Sequence, residues 1–215
     1  MTIAKFLIGV GLAGAAIGAQ AAITYNATAG QNSLQAVTAT ITFDDMVLPT
    51  GFASYDNAAA LIAHPGDPSY AAQPPLDPTA FFSVGVTHGQ PSSSSVTFGG
   101  FGVLYFGFYM GSPDNYNQVT LYSGNTSLGT FTGTQMAAAA GVPVDGNQGV
   151  GFYMNFYTNS AAITKVTFSA SQDAFESDNH SYIAAPIPEP ETYAMLLAGL
   201  GLIGAWSRRR SRRSR

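Results

Sequence analysis

The 215-residue chain has no cysteine, and only 9% of its residues are charged. The first absence excludes a disulfide scaffold, a thiolate metal site and a cysteine nucleophile. The second excludes a coiled coil and, with 46% hydrophobic residues, a disordered chain. Basic residues are scarcer still: between Ala22 and Ile187 there is one, Lys165, against ten Asp and Glu. That stretch is not a nucleic-acid binder, because phosphate neutralisation needs clustered cations. The chain also lacks a Gly-x-Ser-x-Gly elbow and a Lys-bearing phosphate loop, and His64, His88 and His180 belong to no evident Ser and Asp constellation.

What is present concentrates first at the two ends. Residues 1–21 carry Lys5, an apolar stretch from Phe6 to Gly18, and then Ala19-Gln20-Ala21. Small residues at Ala19 and Ala21 are what a signal peptidase reads, so the segment is predicted to be a secretory signal helix cut after Ala21. The competing reading, a retained anchor, meets a stretch shorter than the ~20 residues of a span.

At the other end Ile187-Pro188-Glu189-Pro190-Glu191-Thr192 leads into an apolar run from Tyr193 to Trp206. Six arginines follow: Arg208, Arg209, Arg210, Arg212, Arg213 and Arg215. A proline elbow, a short membrane helix and a positive-inside cytoplasmic anchor describe a sorting tail at residues 187–215. The run is short for a ~30 Å hydrocarbon core and suits transient insertion; the competing reading is an ordinary single-pass anchor. This order of parts resembles the PEP-CTERM sorting signal of Gram-negative bacteria. The resemblance implies that Pro188, Glu189 and Pro190 are recognised by an exosortase, a membrane Cys transpeptidase. It also implies a cell that makes extracellular polysaccharide and delivers the protein to its surface or matrix.

Residues 22–186 read as one extracytoplasmic all-β domain, an antiparallel, jelly-roll-like β-sandwich. Val37, Ala39, Ile41 and Phe43 alternate with Thr38, Thr40 and Thr42, the period of a half-buried strand. Similar runs follow at 81–87, 94–98, 103–110, 118–122, 127–132, 149–158, 163–170 and 174–183. The runs at 103–110 and 149–158 are apolar or aromatic on both faces, so they are expected to be central strands or to expose aromatics. Five prolines between His64 and Thr79 exclude a helix and predict a long surface loop. A turn or two of helix is expected over 57–63. The stretch Tyr105 to Asn117, with Tyr153-Met154-Asn155-Phe156 and Ala174 to His180, resembles one group of exosortase-dependent surface proteins. Those proteins often have Trp where Met110 stands, and the group implies location and fold more than chemistry.

Three sets of residues are candidates for chemistry. Glu176, Asp178 and His180 stand at i, i+2 and i+4, which on an uninterrupted strand puts them on one face. Such a face would suit Ca²⁺, with Asp173 or Asn179 nearby; the competing reading is a solvated strand face or an Asp-Asn turn. Asp114, Asn115 and Asn117 form a turn whose oxygens suit Ca²⁺ or sugar hydroxyls, or satisfy their own backbone. Asp44-Asp45 are strand neighbours that point apart and make no acid and base pair. Lastly, 11 Tyr residues offer rings that stack on sugars from a flat β face. The expectation is a non-enzymatic, exosortase-processed surface or matrix protein associated with exopolysaccharide and biofilm, without a cofactor unless Ca²⁺. Its partners are signal peptidase, the exosortase, the membrane through the tail helix, and polysaccharide, with no nucleic acid. The alternatives are a carbohydrate-binding or carbohydrate-active sandwich and a permanently anchored adhesin.

Overall fold

A computed structural model describes residues 23–62, 70–187 and 194–203 together with Trp206. The signal segment with Ala19 and Ala21, the Pro188-Glu189-Pro190 motif and the cluster Arg208, Arg209, Arg210, Arg212 and Arg213 lie outside the described residues, as does His64. Alternating sequence yields short strands: β1 (Ile23–Thr28), β2 (Ala39–Ile41), β3 (Ala53–Tyr55), β4 (Leu61–Ile62), β5 (Phe81–Val84) and β6 (Ser93–Phe98). There follow β7 (Val103–Gly111), β8 (Asn117–Ser123), β9 (Thr126–Thr132), helix α1 (Gly133–Ala140), β10 (Gly151–Thr158), β11 (Lys165–Ala170) and β12 (Phe175–Ala184).

Two antiparallel sheets result. The first runs β1-β10-β7-β12-β5-β4, with β2 also paired to β12, and the second runs β3-β6-β11-β8-β9. Phe82, Phe106, Phe108 and Phe156 of the first sheet meet Val96, Leu121, Val166 and Phe168 of the second in one buried core. The rings interlock edge to face, with Phe168 5.1 Å from Phe108 and 5.4 Å from Phe82 between centroids. This is the all-β sandwich that the alternation predicts.

Strands β7 and β10 are central, as their two-sided apolarity implies, but their outer face is not an exposed aromatic platform. Tyr105, Tyr109 and Tyr153 are buried there. Tyr105 donates to Asn155 Oδ1 at 2.7 Å, Tyr109 to the Pro75 carbonyl at 2.6 Å and Tyr153 to the Asn179 carbonyl at 2.8 Å. Met110 is fully buried in the core. The proline-rich segment supplies part of the cover. Gly111 and Gly151 are cross-strand partners, and a Cβ on them would lie 2.9 Å from Pro74 Cα and 2.9 Å from Pro75 Cγ. Two glycines thus make the shelf on which Pro74-Pro75 rest.

Other elements depart from the alternation. The expected strand 36–43 is reduced to β2, because Phe43 takes φ 59° and the chain turns there, Met46 N donating to the Phe43 carbonyl. Asp44 and Asp45 sit in that turn and are exposed. The helix expected over 57–63 is a single 3-10 turn, Ala58–Ala60, capped by Asn57. Residues 194–203 are helical with Met195, Leu196 and Leu200 exposed. At 1.5 Å per residue that segment is roughly 15 Å long, about half a hydrocarbon core. Among the described residues no helix is long and apolar enough to cross a membrane. The transmembrane helix expected over 193–206 is thus not supported at spanning length.

Candidate functional site

The proposed face of Glu176, Asp178 and His180 is broken by a bulge. On β12 the pairing with β7 steps from Asp178 opposite Tyr109 to Ser181 opposite Gly107, so one residue is extra, and Asn179 takes φ 50°. The extra residue reverses the alternation beyond it. His180 therefore points into the core, stacked 4.8 Å from Phe168, with Nδ1 bonded to Tyr55 Oη at 2.7 Å and Nε2 to Ser177 Oγ at 2.9 Å. Burial pushes its imidazole down to about 3, so it stays neutral. Glu176 and Asp178 face the other way, under the proline-rich segment, where Ala72 N donates to Glu176 Oε1 at 2.8 Å. The three side chains do not converge on one ion. Among the described residues, no group of three or more His, Asp or Glu is arranged to hold a metal.

Asp178 has a different partner. It is 1% exposed and hydrogen-bonds the carboxyl of Asp77, itself 6% exposed. Burial, the bond to Asp77 and the charges of Asp77 and Asp44 push Asp178 up to about 10. It keeps its proton at neutral pH and turns it toward Asp77. This pair pins the 70–79 segment to β12.

The residues that do converge come from five segments of the chain at one end of the sandwich. They line an open cleft of about 710 Å³. The turn after β7 gives Ser112, Asp114 and Tyr116; the loop after α1 gives Asp145, Gly146 and Gln148. The loop after β5 gives Thr87 and His88, the link into β12 gives Asp173, and the start of β12 itself gives Glu176. Backbone bonds knit the walls: Gly146 N donates to the Pro113 carbonyl at 3.1 Å and Ser112 N to that of Val150 at 3.0 Å. Tyr70 stacks on His88 at 4.3 Å with a 10° interplanar angle and forms the aromatic rim.

Electrostatically the cleft is one-sided. Among the described residues four carboxylates line it, and His88 is the one basic side chain in its wall. Burial pushes the Asp114 carboxyl up, the neighbouring Tyr116 hydroxyl opposes this, and the charge of Asp145 adds to it. Burial acts the same way on Asp173, but the Thr87 hydroxyl, the Val86 and Thr87 amides and His88 outweigh it and hold that carboxyl below its usual range. The Val86 and Thr87 amides reach Asp173 Oδ1 at 2.6 and 3.1 Å, and the Thr87 hydroxyl takes Oδ2. Asp173 is thus committed to holding its neighbouring loop. Among the described residues the buried Ser112 hydroxyl has no hydrogen-bond partner.

The two candidate sets of the sequence are therefore recombined. Asp114 and Glu176 share the cleft, Asn115 faces a neighbouring groove, and Asn117 is 1% exposed. Its amide takes the Asp114 N–H and donates to the Ala174 carbonyl, each at 3.2 Å, which is the structural role of a turn residue. Sequence reasoning did not place Ser112, Asp145 or Tyr70 at the site. They meet through loop packing, and no spacing in the sequence encodes it.

Residues 186–213 match the family model of the PEP-CTERM protein-sorting motif. No curated protein and no solved structure matches the chain.

Proposed function

The chain being a PEP-CTERM sorting-signal protein, and so an exported one targeted to an exosortase, we propose that it is a non-enzymatic component of the cell surface or extracellular matrix, held among exopolysaccharide. The observation that carries this reading is the sorting motif at 186–213, joined directly to the last strand of an acidic sandwich. In this account the apolar tail inserts transiently and the arginines stay on the cytoplasmic side while the exosortase acts near Pro188-Glu189-Pro190. The freed jelly-roll-like domain then remains outside. An acidic, cation-poor surface suits contact with neutral polymers and disfavours polyanions.

A second reading, a carbohydrate-active enzyme, has one observation in its favour: Asp114 and Asp173 line one cleft with carboxyls pushed in opposite directions, the pattern of an acid and a base. Against it, Asp173 is occupied by three donors from residues 86 and 87. The binding reading is preferred, and release of reducing ends from a bound glycan would favour the enzyme.

Deleting residues 187–215 tests the sorting claim. The truncated body is expected in the culture fluid, whereas the intact gene product fractionates with the envelope or polysaccharide. Equal distribution of the two forms would contradict the claim.

A further inference from the structure

The cleft has a chemistry of its own. Asp114 and Asp145 repel each other in its wall, and among the described residues no Lys or Arg lines it to answer them. Lys165, the one cation of the body, lies over the Tyr122 ring at 4.2 Å, in the second sheet. Carboxylates accept hydrogen bonds and donate none, so Asp114 and Asp145 call for donors from whatever enters. The independent sign of a ligand is Ser112, which is 4% exposed, lines the cleft and leaves its hydroxyl unpartnered. A buried hydroxyl without a partner is costly, and an incoming polar group relieves that cost. The stacked Tyr70 and His88 rings add an apolar edge beside these acceptors.

Size and charge narrow the occupant. The cleft holds about 710 Å³, room for a small organic ligand and far more than one ion needs. Its charge rejects uronates, sulfates and phosphates. Resting on the surface-protein reading above, we propose that this cleft binds a saccharide rich in hydroxyl or ammonium donors and free of acid groups. Asp114, Asp145 and Ser112 receive the donors while the Tyr70–His88 edge packs against the sugar C–H face. Neutral sugars and amino sugars share this chemistry, and the test separates them.

Titration calorimetry on the mature protein from its host would use four probes: a glucosamine hexasaccharide, a neutral glucan hexasaccharide, a guluronate hexasaccharide and CaCl₂. Binding of the first or the second is expected, the stronger of the two identifying the source, with no heat from the uronate. Asp114→Asn is expected to weaken that binding about tenfold, the loss of one hydrogen bond to a charged group. Ser112→Ala, a change too small to threaten folding, should weaken it severalfold. No heat from either non-acidic saccharide, preference for the uronate, heat from Ca²⁺ alone, or unchanged affinity in both variants would overturn the proposal. Envelope fractionation of the same variants separates the two readings. A variant that loses the saccharide but stays with the envelope leaves the sorting account intact.

Discussion

Thermal stability is expected to be greatest between about pH 3.8 and 6.5 and to fall on both sides. Two buried groups set those limits. His180 is neutral in the fold down to about 3, whereas the unfolded imidazole takes a proton below its usual 6.5. Acidification below 6.5 therefore favours the unfolded chain by about 1.4 kcal/mol per pH unit. Asp178 has the opposite sign. It keeps its proton in the fold up to about 10, while the unfolded carboxyl loses it above its usual 3.8. Each pH unit above 3.8 therefore favours unfolding by about the same 1.4 kcal/mol. Between the two limits the slopes cancel; above 6.5 Asp178 acts alone.

From pH 6.5 to 8.5 the loss is about 3 kcal/mol, or roughly 5–10 °C in Tm for a chain of this size. Asp178→Asn should abolish that decline, because an amide N–H offers Asp77 the same donor at every pH. Melting curves at pH 5, 6.5 and 8.5 check both statements. A wild-type Tm that is flat from 6.5 to 8.5 would mean that Asp178 is ionised in the fold.

The second large effect is expected at Gly133. A Cβ there would overlap the Asp114 carbonyl oxygen and come within 3.3 Å of Asn117 Cβ. Neither neighbour gives way easily: the first is backbone, and Asn117 is 1% exposed. Gly133 also opens α1, whose Thr132 cap and Gln135 form a closed capping box. The helix and the Asp114 turn are thereby clamped together. Gly133→Ala should cost about 3 kcal/mol or more, at the upper end of overpacking penalties, and push Asp114 out of the cleft wall. Chemical denaturation of the variant would measure it. A loss below about 1 kcal/mol would mean that α1 and the turn are not in contact as described.

The parts of the fold governed by local pattern were legible. Strict alternation at 94–98 and 163–170, and two-sided apolarity at 103–110, each gave a strand where one stands. Helix α1 lies outside the expected elements, although Thr132-x-x-Gln135 is a capping-box signature and Gly141, at φ 70°, a helix stop. The preceding strand β9 runs into it without a break, and its four alanines carry little amphipathic signal. Strand β1 lies outside the expected runs, directly after the signal segment.

At the site the limit was the bulge. The spacing of Glu176, Asp178 and His180 implies one face, but Asn179 in the left-handed region inserts a residue and sends His180 to the core. Asn tolerates that conformation, so the residue type permitted the bulge without announcing it. The cleft itself depends on five segments meeting at one end of the sandwich, and its members span residues 70 to 176. No periodicity reaches that far.

The most direct test of the account is the intact mass of the protein recovered from its native host. The account predicts a chain lacking residues 1–21 and everything beyond the Pro188-Glu189-Pro190 region, the product of signal peptidase and exosortase together. A mass that retains Arg215 would contradict it and make the protein a permanently tethered one.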